Sequence, residues 1–130
     1  MFRFSDYNKT VIDHYENPRN VGVVDAADAE AMEGNPDGDQ MRLTLRIRDE
    51  VIREARFQTI GCVAAIASSS IATEMLVGKN LAEADRLTKR DVVRALGGLP
   101  EVKIDCSVVA EKAIRAALAD FRRRGSRQSG

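Results

Sequence analysis

The sequence predicts an α+β domain, a small three-stranded antiparallel sheet packed on one face by helices. Three observations carry this. Residues 41–48 alternate strictly, with Met41, Leu43, Leu45 and Ile47 set against Arg42, Thr44, Arg46 and Arg48, the two-residue period of a half-buried strand. Asp49-Glu50 then forms a turn, and residues 51–60 return as a second strand. Beyond Cys62 the apolar period becomes helical and stays so. Strands first and helices after place the helices together on one sheet face.

Residues 5–16 form a short N-terminal helix, with Tyr7, Val11, Ile12 and Tyr15 on one face. Ser5 or Asp6 caps it, and Asn17-Pro18 ends it, because the residue before a proline is pushed out of the helical region. A polar, alanine-rich connection follows to about Ala31, and a further strand around 30–35 completes the sheet. After Cys62, residues Ala65, Ile66, Ser69, Ala72, Thr73 and Leu76 share one side of a helix that Gly78 stops. Leu81–Ala84 reads as one helical turn. Thr88 caps a helix running to Leu96, and Gly97-Gly98 terminates it. The last helix, about 107–123, aligns Ala110, Ala113, Ile114, Ala117, Leu118 and Phe121.

At 130 residues the chain reads as a single domain over 1–130, with its core in about 5–123 and a flexible basic tail at 124–130. Twenty basic and 20 acidic residues, interspersed, argue against a nucleic-acid surface. The tail Arg122-Arg123-Arg124-Gly125-Ser126-Arg127 reads as a frayed, solvated end rather than an anion-binding patch. No apolar run suits a signal peptide or a bilayer span, so no membrane partner is expected. Two distant cysteines without a secretion signal indicate free thiols in a reducing cytoplasm.

Those cysteines carry the chemistry. Cys62 follows Phe57-Gln58-Thr59-Ile60-Gly61, and Cys106 follows Val102-Lys103-Ile104-Asp105; each precedes a helical segment. Backbone N–H groups at a helix start favour the thiolate, the form that binds metal and attacks electrophiles. Lys103 stands close to Cys106 in sequence and favours a thiolate there, unless it is only a surface lysine. The turn Gly34-Asn35-Pro36-Asp37-Gly38-Asp39 supplies carboxylates that glycines can bring close to an ion. Soft thiolates with carboxylate oxygen suit zinc, iron or an iron–sulfur cluster. Ordinary buried cysteines and an ordinary turn are the plain alternatives. The triple serine 68–70 reads as close helix packing, since no histidine base accompanies it. His14, the single histidine, reads as a surface or core residue of the first helix rather than a ligand.

Four segments resemble the IscU/NifU-type iron–sulfur cluster scaffold family, over residues 7–123. They are His14-Tyr15-Glu16-Asn17-Pro18-Arg19-Asn20-Val21-Gly22, Gly34-Asn35-Pro36 with Gly38-Asp39, Phe57 through Ser70, and Leu99 through Ser107. The resemblance implies the SufE/NifU fold, a small antiparallel sheet covered by helices. It also implies a non-enzymatic carrier that assembles a transient [2Fe–2S] cluster from iron and sulfur supplied by a cysteine desulfurase, then passes it to apo iron–sulfur proteins.

The chain departs from the family pattern. The family motif Gly-Asn-Pro-x-Cys-Gly-Asp is one residue shorter here, so Asp37 adjoins the glycine where the first cysteine belongs. Asp105 replaces the histidine usual before the third cysteine; Cys62, Cys106 and Asp39 match the family. Carried over residue by residue, the resemblance implies metal ligands Asp39, Cys62 and Cys106, with the cluster held by Cys62, Cys106, Asp37 and Asp105. Cys106 is the implied sulfur acceptor, because its loop is the family's expected desulfurase contact. Such ligation is harder and more labile than three thiolates would give.

Zn2+ also suits the donor set, as in the zinc-dependent SufU branch that accepts sulfur from its desulfurase, although that branch's insertion between the second and third cysteine segments is absent here. A metal-free homologue that regulates the desulfurase is a third reading. Leu99-Pro100-Glu101-Val102-Lys103 resembles the segment recognised by a specialised Hsp70/J-type chaperone pair, with Glu101 in place of the second proline breaking the motif. A plain loop is the equal alternative there.

Overall fold

A computed structural model describes residues 6–128, with side chains described to Gly125. Helix α1 spans Lys9–Glu16. Its cap is Asn8, whose side chain accepts the Val11 N–H at 2.9 Å, rather than Asp6; Ser5, the other expected cap, lies outside the described residues. Asn17 ends the helix as expected.

The sheet runs β1 (Ala29–Gly34), β2 (Gln40–Arg48) and β3 (Val51–Ile60), antiparallel throughout in the order β1-β2-β3. Asp49 and Glu50 join β2 to β3, both at positive φ (53° and 60°), as a two-residue hairpin turn matched to strand twist requires. A register shift between Arg46 and Ile47 bends the ladder near this turn. Met41, Leu43, Leu45 and Ile47 all point into the core, as their alternation predicts. Thr44, on the opposite face, is buried too, because the 20–24 segment crosses there and Val24 N–H donates to Thr44 Oγ1 at 2.8 Å. Side-chain alternation alone gives no sign of that cover.

The helices follow in the predicted order: α2 (Val63–Leu76), α3 (Leu81–Asp85), α4 (Lys89–Ala95) and α5 (Asp105–Gln128). Capping boxes at Asn80/Glu83 and Thr88/Asp91 start the two short ones. Helix α2 is buried nearly all round, between α1, β3 and α5. Its small residues permit this: Ser68, Ser69 and Ser70 are all buried, and Ser69 Oγ donates to Ala65 O at 2.8 Å and pairs with Thr59 Oγ1 at 2.7 Å. Helix α5 lays Ala110, Ala113, Ile114, Ala117 and Leu118 on β1 and β2.

Besides the start of α1 at Lys9 rather than at residue 5, two boundaries differ from expectation. A single 3-10 turn at Glu101–Lys103 leads directly into α5, so Asp105 and Cys106 lie in its first turn. At the other end α5 runs on to Gln128, and the 124–128 part of the expected flexible tail is helical. Asp120 pairs with Arg123 at 2.7 Å and Arg124 at 3.0 Å, while Arg124 also donates to Ala27 O at 2.9 Å, which ties that turn to the body. Residues 129–130 lie outside the described part.

Candidate metal centre

Three separate segments meet at one end of the sheet. The first is the β1–β2 connection, where Asn35-Pro36-Asp37-Gly38 forms a turn closed by Gly38 N–H to Asn35 O at 3.1 Å. Asparagine first, proline second and glycine fourth is the residue order such a turn prefers. Gly34 is needed just before it, because a Cβ there would sit 2.8 Å from Asp39 O. The second segment is Gly61-Cys62 at the end of β3, with Cys62 as the cap of α2. The third is the first turn of α5.

Asp39, Cys62 and Cys106 each direct a ligand atom into one cluster, all within 4.8 Å of one another. The two Sγ atoms are 3.4 Å apart. Tetrahedral zinc with Zn–S bonds near 2.3 Å holds its donors about 3.8 Å apart, so the donor set fits such an ion with small adjustments. Asp39 Oδ1 accepts the Cys62 backbone N–H at 3.1 Å, and Oδ2 accepts from Asn35 Nδ2 at 2.8 Å. Gly61 makes this approach possible, since a Cβ there would lie 2.3 Å from Asp39 Oδ1.

The thiols are unequal. Cys62 is half-buried and its pKa is lowered to about 6, first by a hydrogen bond from the Cys106 thiol, then by the Ala65 N–H in the first turn of α2 and by Lys103, against burial and Asp39. Cys106 is 6% exposed, and its pKa is raised because its proton is held toward the Cys62 sulfur and because it is buried. The helix-start argument therefore applies to Cys62. Lys103 acts on Cys62 as well, although sequence proximity pointed to Cys106. In the metal-free site the shared proton rests on Cys106, the expected sulfur acceptor, and the thiolate is favoured at Cys62.

Asp37 and Asp105 do not join the cluster of ligand atoms. Both are exposed, and both line an adjoining cleft of about 330 Å³ with Gly34, Asn35, Pro36, Val108, Val109 and Lys112. Asp37 stands on the outer part of the shortened turn, and Asp105 opens α5 one residue before the inward-facing Cys106. His14 is also outside the cluster; it is buried between α1 and α2, with Nδ1 2.7 Å from Ser70 Oγ. Two residues near the site have roles there that the sequence reading did not assign. Asn35 holds Asp39, and Tyr7 lies close enough to both thiols that their charge adds to burial in raising its pKa.

The family model described as the NifU-like N terminal domain matches residues 6–128. The chain belongs to that family. Over 122 residues it is 46% identical to "Iron-sulfur cluster assembly scaffold protein IscU 1" of Archaeoglobus fulgidus, covering 93% of this chain and 80% of that protein. Over 121 residues it is 50% identical to "Iron-sulfur cluster assembly scaffold protein IscU" of Escherichia coli K12, covering 89% of this chain and 94% of that protein. Among solved structures, a NifU-like protein (N-terminal) from Brucella abortus superposes with a TM-score of 0.73 at 18% identity, covering 92% of this chain and 96% of that one. That likeness supports the α+β fold. No helix among the described residues is long and apolar enough to cross a membrane.

Proposed function

We propose that this family member is a scaffold for iron–sulfur cluster assembly, receiving sulfur and iron at Asp39, Cys62 and Cys106 and handing the cluster to apoproteins. The observation that carries this is the convergence of two thiols and a carboxylate from three segments far apart in sequence, in a chain about half identical to proteins named as such scaffolds. Iron and sulfide are cargo in this reading, and the chain is a carrier rather than an enzyme. A cysteine desulfurase is the sulfur source and the cytoplasm the compartment.

The unequal thiols support an order of events. The Cys62 thiolate attacks the outer sulfur of the desulfurase persulfide, forms the new S–S bond and expels the donor thiolate, so no net oxidation occurs. Reducing that sulfur to sulfide takes two further electrons from an external thiol reductant. Cys106 then loses its proton as both sulfurs become ligands. Asp37 and Asp105, at the adjoining cleft, are proposed as transient ligands for incoming iron rather than permanent members of the set. Glu101 and Val102, both exposed on the 3-10 turn, leave that segment open to a chaperone in its altered form.

The test is anaerobic reconstitution with a desulfurase, cysteine and ferrous iron, followed by addition of an apo-ferredoxin. Iron and acid-labile sulfide in near-equal amounts, then transfer to the acceptor, are expected; absence of sulfide on the protein contradicts the proposal. A zinc-bound sulfur acceptor is the second reading, favoured by the small donor set of two thiols and one carboxylate. It predicts tightly held zinc that iron does not displace, with persulfide on Cys62.

A further inference from the structure

Asp39 is 6% exposed, and its carboxylate is held by Asn35 on one oxygen and the Cys62 amide on the other. Asn35 grips it at two points: Asn35 Oδ1 accepts the Asp39 backbone N–H at 3.0 Å, and Asn35 Nδ2 donates to Asp39 Oδ2 at 2.8 Å. The backbone closes the same loop in the other direction, with Asn35 N–H donating to Asp39 O at 3.1 Å. With Cys62 N–H on Oδ1, each carboxylate oxygen holds one neutral donor and keeps a lone pair for another partner. The rotation of the carboxylate, and hence the direction of its remaining lone pairs, is set by Asn35 and the Cys62 amide together.

We propose that Asn35 is a positioning residue for metal capture, acting through Asp39 as the partner that orients the one oxygen ligand. This rests on reading Asp39, Cys62 and Cys106 as a metal site. The role matters more in this chain than it would beside a third thiolate, because carboxylate oxygen here supplies one of three clustered donors. A free aspartate side chain samples several rotamers, and holding it in one lowers the entropy lost on binding. A neutral amide donor does so without placing a competing positive charge beside the ion. Partners that orient a ligand in this way are typically worth roughly ten- to a hundredfold in metal affinity.

The experiment titrates metal-free, reduced protein with Zn2+ by competition and with Co2+ by absorption, for wild type, Asn35→Ala, Asn35→Ser, Asp39→Ala and the double variant Asn35→Ala/Asp39→Ala. Asn35→Ser keeps an oxygen able to accept the Asp39 N–H and so preserves the turn, but is too short to hold Oδ2. Both Asn35 variants are expected to weaken Zn2+ binding roughly tenfold to a hundredfold. Their Co2+ spectra should retain the thiolate charge-transfer band while the ligand-field bands shift. In the Asp39→Ala background, Asn35→Ala should change affinity less than twofold, since its target is gone.

Wild-type affinity in Asn35→Ser, or equal losses from Asn35→Ala with and without Asp39, would overturn the positioning role. A wild-type protein that gives no thiolate–cobalt band would overturn the metal-site reading itself, and this inference with it.

Discussion

Gly61 leaves no space between its Cα and the Asp39 carboxylate: a Cβ there would stand 2.3 Å from Oδ1, 3.0 Å from Cγ and 3.1 Å from the Ala65 Cβ. The carboxylate cannot swing aside freely, because Asn35 holds its other oxygen. Gly61→Ala should therefore displace Asp39 from the cluster and break its bond to the Cys62 amide. The expected outcome is at least a tenfold loss in Zn2+ affinity, measured by competition, with the far-ultraviolet circular dichroism retained. Unchanged affinity would show that the close approach is incidental.

The thiols should react in sequence. In metal-free, reduced protein, iodoacetamide should modify Cys62 first, with a rate that rises through about pH 6. Cys106 should resist until the protein is unfolded, being buried and holding its proton. Cys106→Ala removes the hydrogen-bond donor that contributes most to lowering the Cys62 pKa, so the rate profile of Cys62 should move to higher pH. Mass mapping of the alkylated peptides across a pH series checks both statements, and prior labelling of Cys106 would refute the ordering.

His14 ties stability to pH. Burial lowers its pKa below the ordinary 6.5, with Arg19 acting in the same direction; Glu74, at 3.5 Å, and Asp13 pull the other way and are outweighed. The unfolded chain then binds a proton at higher pH than the folded one. Its contribution to stability is present above about pH 6.5 and is lost as the pH falls through the lower folded value. The buried ring lies with Nδ1 2.7 Å from Ser70 Oγ, which also accepts the Arg19 N–H at 2.9 Å. Thermal midpoints measured from pH 8 to pH 5 should fall for wild type. They should fall less steeply for His14→Gln, even though that variant starts lower.

The sheet and helix order are legible in the sequence because one buried face imposes a period of two and the helices a period near 3.6. Met41 through Ile47 and Ala110 through Leu118 show both patterns cleanly. Boundaries are less legible where local signals compete. Asn8 outcompetes Asp6 as a cap, and the helix reaches back to Asp105 because a 3-10 turn delivers the chain already in helical geometry. Cys62, Cys106 and Asp39 were readable as candidates from residue chemistry and motif. Tyr7 and the reach of Lys103 to Cys62 were not, since each is a through-space relation with no fixed spacing along the chain; Asn35 stood in the turn motif, but residue type alone did not show its grip on Asp39 four residues on. Asp37 and Asp105 stood beside ligand positions in sequence, yet a turn and a helix start direct neighbouring residues differently, and neither reaches the cluster.

The β2–β3 turn offers a test of the fold apart from the site. Asp49 and Glu50 both occupy the left-handed region, which costs a residue bearing a Cβ roughly 1 kcal/mol. Replacing the pair by Asn-Gly, the sequence this turn prefers, should stabilise the protein by about 1 kcal/mol in urea denaturation. Metal affinity should not change. A loss of stability would mean that the turn is held by contacts to Asp49 or Glu50 that outweigh the strain.

X-ray absorption at the zinc edge, on protein loaded with one equivalent of Zn2+, tests the central claim most directly. Convergence of Asp39, Cys62 and Cys106 on one ion predicts two sulfur neighbours at about 2.3 Å with the remaining ligands oxygen, falling to one sulfur in Cys62→Ser. A wild-type spectrum with oxygen and nitrogen neighbours alone would contradict it.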